Sequence, residues 1–370
     1  MQMKTFDNHT LSLLGMGNMR LPTVGDQPGA PIDRAKAQAM IDYAMANGIN
    51  YYDTAYVYHS GESESFLGEA LVSRYPRDRF YLATKFLIGA NPDYRAVFEE
   101  QLARLKTDHI DFYLLHAIFD ANAQAYIDSG AIAYFEEQKR LGRIRYFGFS
   151  LHASLAVLKR FVALRKWDFV QIQFNYYDWV YGPARQEYEI LDAAGIPVLV
   201  MEPVRGGRLA TLSPDAEGIL KAAHPDWSIS SWALKWVKSH SRVQVVLSGM
   251  STLAQLQDNV ATFRDGTAWT EADEATLMKA VEAFKRQVQV PCTACRYCCD
   301  DCPARINIPA VLDVYNRYKT DGAGALRALD SIPSDGMPVD CIECGACTAH
   351  CPQNIQIKAI MHELAQLANP

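Results

Sequence analysis

The chain has 370 residues, 49% hydrophobic and 21% charged, with a formal net charge of −6. That composition can bury a full core, which excludes a largely disordered chain, and its mild acidity argues against a nucleic-acid partner. No run of about 18 apolar residues occurs, so no membrane span is expected, and the opening MQMKTFDNHT lacks the apolar stretch of a secretory signal.

Taken in chain order, residues 1–290 alternate short apolar runs with amphipathic segments. Candidate strands lie at 12–16, 49–53, 80–85, 111–116, 145–149, 169–173, 197–201 and 243–248. They are near-continuous apolar runs, the pattern of strands buried on both faces. Helical patterns fall at 33–47 before Gly48, 93–105, 154–165, 185–194 before Gly195, 227–239 and 252–263. Eight strands each followed by a helix predict an α/β fold, a (β/α)8 TIM barrel. The competing reading, a six-stranded doubly wound sheet, wants a G-x-G-x-x-G turn between a strand and a helix, and none is found. A further helix over 271–288 opens at Thr270, with Asp273 three residues on as a variant capping box. The predicted domains are therefore 1–287, a barrel, and 288–370, a smaller and mainly helical tail.

All nine cysteines fall between Cys292 and Cys351. Such a segment, in a chain without an export signal, reads as metal-binding rather than disulfide-bonded. Cys292, Cys295, Cys298 and Cys302-Pro303 form one block, and Cys341, Cys344, Cys347 and Cys351-Pro352 the other. Both read C-x2-C-x2-C-x3-C-P. Zinc, the alternative metal, favours paired C-x2-C units over two triplets each trailed by Cys-Pro. The run resembles that of two-cluster bacterial ferredoxins, in which the fourth cysteine ligates the other cluster. The resemblance implies two [4Fe-4S] clusters. One would take Cys292, Cys295, Cys298 and Cys351; the other Cys341, Cys344, Cys347 and Cys302. Cys299 is left over, either idle or a substitute for Cys298. Between the blocks, Pro309 followed by Val311, Leu312, Val314, Tyr315 and Tyr318 gives a helical stripe. Oxygen-sensitive clusters suit a reducing cytoplasm, the expected location.

In the barrel region, Asp53, Lys85 and His116 close three successive predicted strands, where barrel enzymes place their catalysts, and Tyr58 follows Asp53 by five residues. The segment GINYYDTAYVYHSGESESFLGEAL, with ATK and LLHA following in order, resembles the aldo-keto reductases, and the likeness extends over about residues 10–265. It implies hydride transfer between a nicotinamide and a carbonyl or alcohol, with Tyr58 as general acid/base. The pairing makes chemical sense, because a tyrosine pKa near 10 is tuned by a neighbouring ammonium. Lys85 would lower it, Asp53 would hold Lys85, and His116 would align the carbonyl.

The same resemblance carries NADP(H)- or NAD(H)-binding roles onto Ser150, Gln171, Met201, Gly206, Gly207, Arg208, Gly249, Gln255, Asp258 and Asn259. Leu151 stands where the family often has Asn, with His152 next to it as a replacement. Gly249 and Gln255 stand where NADP-specific members carry Lys and Arg, which leaves Arg208 as a cation for a 2′-phosphate. Arg20, after the first strand, is a candidate for a substrate carboxylate or phosphate.

The expected protein is an NAD(P)H-dependent oxidoreductase acting on a small-molecule carbonyl or alcohol. Its clusters would either relay electrons to a one-electron carrier, such as a ferredoxin or flavodoxin, or brace a cap on the active site. The alternative is an electron-transfer or regulatory binding protein whose barrel chemistry is vestigial.

Overall fold

The structure is a computed structural model that describes residues 1–25, 29–286 and 290–368. It opens with an antiparallel hairpin, β1 (Met3–Phe6) and β2 (His9–Ser12), turned at Asp7 in a left-handed conformation with φ 51°. No apolar run marks this hairpin in the sequence, because each arm is four residues long and at least half polar, with Lys4 and Thr5 in one and His9, Thr10 and Ser12 in the other. Eight parallel strands follow: β3 (Leu14–Gly17), β4 (Tyr51–Asp53), β5 (Tyr81–Phe86), β6 (Ile110–Ile118), β7 (Ile144–Leu151), β8 (Phe169–Gln173), β9 (Val198–Met201) and β10 (Val243–Ser248). They close into a barrel in sequence order, with β10 pairing β3.

The helices of this part are α1 (Arg34–Ala46), α2 (Glu62–Leu67), α3 (Tyr94–Leu105), α4 (Ala123–Asp128), α5 (Ala131–Arg140), α6 (Leu155–Leu164), α7 (Tyr176–Tyr181) and α8 (Ala184–Ala193). Then come α9 (Pro214–Ala223), α10 (Ile229–Lys238), α11 (Leu253–Arg264) and α12 (Glu271–Lys285). The tail adds α13 (Tyr297–Asp300), α14 (Ile308–Asp321), α15 (Ala346–Ala349) and α16 (Ile357–Ala368). Among the described residues no helix is long and apolar enough to cross a membrane.

The chain divides into two bodies. The first comprises residues 1–24, 29–204 and 230–269; the second comprises 205–229, 270–286 and 290–368, with Gly25. The expected seam at 287/288 lies outside the described residues.

In the first body the barrel is filled rather than hollow. Phe6 and Leu11 of the hairpin join Tyr51, Phe112, Phe169 and Val245 in one buried cluster, with Phe6 edge-on to Phe112 at 5.3 Å. Tyr51 and Phe169 are the first residues of their strands, so the hairpin plugs the N-terminal end. Gly148 on β7 lets that wall close up: a Cβ there would sit 2.5 Å from the Phe169 carbonyl oxygen. The strand C-termini are left to carry polar groups.

In the second body α12 starts as the sequence suggests. The Thr270 hydroxyl accepts from the Asp273 N–H and the Asp273 carboxylate accepts from the Thr270 N–H. The tail core gathers Cys292, Cys298, Ile306, Val311, Leu312, Ile355, Ile357, Met361 and Leu364. The cysteine repeat extends into the backbone. Left-handed residues recur in register: Ala294 with Glu343 (φ 52° and 57°), Arg296 with Gly345 (70° and 79°), Arg305 with Asn354 (52° and 51°). Each Cys-Pro turn closes alike, with the Arg305 N–H on the Cys302 carbonyl and the Asn354 N–H on the Cys351 carbonyl.

Candidate active site and cluster cavities

Parallel register sets the barrel site. Asp53 ends β4, Lys85 is the penultimate residue of β5, His116 lies near the end of β6, and Tyr58 begins the 3₁₀ turn that follows β4. All four are buried. The Lys85 ammonium donates to Asp53 Oδ1 at 2.5 Å and to the Thr54 carbonyl at 2.6 Å. Its nitrogen stands 4.8 Å from the centroid of the Tyr58 ring, and that ring meets His116 edge-on at 5.6 Å. Asp53 Oδ2 and His116 Nδ1 are buried with no hydrogen-bond partner among the described residues.

Burial dominates the electrostatics here. It pushes the Asp53 carboxyl up and the Lys85 ammonium down, while their mutual contact opposes both shifts. Burial, then the Lys85 charge and His152, hold His116 well below its usual 6.5, so the imidazole is neutral at pH 7. Tyr58 corrects an expectation. Burial, then Asp53 and Glu202, push its hydroxyl well above 10 rather than below it. The Lys85 charge is taken up by Asp53 and by a backbone carbonyl, and it lies over the Tyr58 ring face.

The tail gathers its cysteines into two cavities. Cys292, Cys295, Cys298 and Cys351 line an inner one; Cys302, Cys341, Cys344 and Cys347 line an outer one. Each takes three sulfurs from one block and the fourth from the other. Cys299 lines neither, and it shares a hydrogen bond with its neighbour Cys298. The donor set fits a cluster: four soft cysteine sulfurs surround each space, whereas no three His, Cys, Asp or Glu among the described residues converge on a single-ion site. The inner cavity also presents the Thr293 hydroxyl and an Arg296 N–H, both buried with no partner among the described residues. These are donors that sulfide acceptors would satisfy.

The chain matches the aldo/keto reductase family over residues 13–275 and a 4Fe-4S dicluster domain over residues 291–355. It belongs to the aldo/keto reductase family. The reductase is 29% identical over 282 residues to the uncharacterized oxidoreductase YqkF of Bacillus subtilis, covering 68% of this chain and 86% of that protein. It is 25% identical over 333 residues to the NADH-specific methylglyoxal reductase of Escherichia coli, covering 75% and 97%. Among solved structures it resembles the holo form of aldo-keto reductase AKR11C1 from Bacillus halodurans, with a TM-score of 0.62 and 29% identity, over 76% of this chain and 96% of that one.

The other expected residues of the reductase fall into three groups. Ser150 Oγ accepts from the Ala117 N–H at 2.7 Å, and Gln171 Nε2 reaches Met201 Sδ at 3.5 Å while Gln171 Oε1 is buried without a partner among the described residues. After β10, the Gln255 side chain caps α11 by accepting from Ser251 and Thr252 N–H, Asp258 accepts from the Ser230 hydroxyl, and Asn259 donates to Ser248. The Arg20 side chain lies along Gly249, where a Cβ would meet it at 3.2 Å. The third group, Gly206, Gly207 and Arg208, belongs to the second body. There the two glycines take φ 65° and 99°, and Arg208 pairs with Asp313. His152, the proposed substitute beside Leu151, stacks on Phe119, and burial holds it down at about 4.

Sequence reasoning missed the supports of the tetrad. Asn18 Nδ2 donates to the Asp53 carbonyl at 2.8 Å. Behind Lys85, Gln101 donates to its carbonyl at 3.0 Å and to Glu64 at 2.8 Å, and Glu64 also accepts from Thr84 and Arg104. Glu64 sits in an acidic run, ESES, that reads as solvated helix; only the tertiary structure tells the buried acid from its neighbours.

Proposed function

We propose that this reductase interconverts a small carbonyl compound and its alcohol, with Tyr58 as the proton donor and acceptor. The observation that carries the reading is the convergence of Tyr58, the Lys85–Asp53 pair and His116 on one buried site at the strand C-termini. A bound nicotinamide dinucleotide supplies or accepts the hydride. In the reducing direction Tyr58, held protonated by burial, gives its proton to the carbonyl oxygen. Neutral His116 hydrogen-bonds and aligns that oxygen, and Asp53 fixes Lys85, whose ammonium lies over the Tyr58 ring face. Gln171 Oε1, an acceptor unmet among the described residues, is suited to a carboxamide N–H.

We infer a preference for NADH. Residues 249–263 contain no Lys or Arg, Arg208 is paired with Asp313, and one relative is described as NADH-specific. Arg20 sets a cation against Gly249, and the same guanidinium is our candidate for an acidic group on the substrate. Titration of NADH and NADPH into wild type and Arg20→Gln separates the roles. A lost NADPH affinity assigns Arg20 to the nucleotide; a raised KM with unchanged nucleotide affinity assigns it to the substrate.

We assign residues 1–287 to the hydride-transfer domain and 288–370 to a dicluster domain carrying two [4Fe-4S] clusters on the two sulfur sets above. Cys344 is exposed and Ile342 beside it is 67% exposed, which suits exchange of electrons with a one-electron carrier such as a ferredoxin or flavodoxin. The deciding test is Tyr58→Phe in the full chain. Loss of turnover with retained nucleotide binding supports the enzyme; undiminished turnover would favour the electron-transfer or binding-protein reading.

A further inference from the structure

The two sulfur sets share spacing and backbone geometry, yet their surroundings differ position by position. Thr293 corresponds to Ile342, Ala294 to Glu343, and Arg296 to Gly345. The inner site thus carries a hydroxyl and a guanidinium where the outer one carries an exposed aliphatic chain and no side chain, beside a carboxylate. The Thr293 residue is 1% exposed, its hydroxyl is buried without a partner among the described residues, and it lines the inner cavity. Arg296 lines the same cavity and leaves Nη2 buried in the same state, while its Nη1 reaches Asn307 Oδ1 at 3.4 Å.

The backbone makes Arg296 unusual. It holds φ 70°, in the left-handed region that the second repeat fills with glycine at φ 79°. An arginine there is strained, and such strain persists when the side chain is needed where it points. A third cation adds to the set. Arg205, 4% exposed and itself at φ 49°, donates to the Pro291 carbonyl at 2.8 Å and to Gln353 Oε1 at 2.8 Å. Those partners flank Cys292 and Cys351, the two ends of the inner sulfur set.

We propose that Thr293, Arg296 and Arg205 raise the reduction potential of the inner cluster, making the two clusters electrically inequivalent despite identical ligands. The inference rests on the two-cluster reading above. One electron, taken from an outside one-electron donor that is thereby oxidised, adds one unit of negative charge to a four-thiolate cluster. Hydrogen bonds to sulfur and nearby positive charge favour that state. Thr293, Arg296 and Arg205 act through the cluster as positioning and tuning residues; they are not ligands.

The test is anaerobic potentiometric titration of the full reconstituted chain, followed by EPR, with iron and sulfide measured on every sample. Arg296→Gly, which relieves the left-handed strain, and Thr293→Val are each expected to lower one of two one-electron steps. The expected loss is about tenfold in its equilibrium constant, about 59 mV for one electron, and the other step should hold still. Arg296→Lys should restore most of the Arg296→Gly shift. The reciprocal pair Ile342→Thr and Gly345→Arg should raise the other step. About eight irons per chain with both steps unmoved in all variants, or with both moved together, overturns the inference. Fewer irons in wild type overturn the two-cluster reading instead.

Discussion

The barrel and the cysteine domain build their sites by opposite routes. In the barrel, residues 53, 58, 85 and 116 are scattered along the chain, and hydrogen-bonded parallel strands bring them together. The scaffold comes first: aromatic packing and the hairpin plug hold the strand ends where they are. In the tail, three of each four sulfurs come from one short loop, and Cys292 and Cys298 are themselves part of the buried core. On the two-cluster reading, the bound group would help make the core it sits in. A barrel site should therefore outlast the loss of its chemistry, whereas a tail site should not.

The largest expected effect tests that contrast directly. Cys298→Ser or Cys344→Ser should remove about four of about eight irons per chain and loosen the tail, seen as faster proteolysis after residue 286. Barrel unfolding should change little. A variant that keeps full iron would break the ligand assignment.

Tyr58→Phe comes next. It should lower kcat/KM by about 10² to 10⁴, the usual worth of a positioned acid, with iron content and melting temperature unchanged. A parallel loss of iron would mean the two regions are not independent.

Lys85→Met leaves the Asp53 carboxylate buried opposite an apolar chain, which should cost the barrel about 3–5 kcal/mol in denaturant unfolding. Lys85→Met/Asp53→Leu together should recover much of it, since an apolar pair has no charge to desolvate.

The pH response should follow His152. Its folded pKa of about 4 lies below the unfolded value of 6.5, so the unfolded chain binds more protons in that window. Stability is full above pH 6.5 and falls as the pH drops toward 4, by about 1.4 kcal/mol per unit. His152→Phe should remove this contribution and leave that of His116, which burial also holds below 6.5.

Smallest is Thr270→Ala, which removes the cap of α12 and should cost about 1 kcal/mol in the second body.

Much of this is legible in the amino-acid sequence. The eight apolar runs, each followed by an amphipathic segment, predict the barrel because strands buried on both faces must be apolar throughout. The spacing of Cys292 to Cys302 and of Cys341 to Cys351 marks two matching blocks, and the resemblance to two-cluster ferredoxins implies the crossed sulfur sets that line the two cavities. The order Asp53, Tyr58, Lys85, His116 points to the candidate active site because barrel enzymes draw their polar groups from strand ends.

What stayed hidden depends on burial and on distant partners. Glu64 reads as a surface acid until Thr84, Gln101 and Arg104 enclose it. Nothing in the sequence shows that Arg208 pairs with Asp313, or that the Pro291 carbonyl and Gln353 accept from Arg205. The expected lowering of the Tyr58 pKa fails for the same reason: the sequence places an ammonium nearby, but only the fold shows the burial, and then the Asp53 and Glu202 charges, that push the hydroxyl up. Local spacing determines which groups can meet; desolvation, a property of the packed interior, decides what charge they carry when they do.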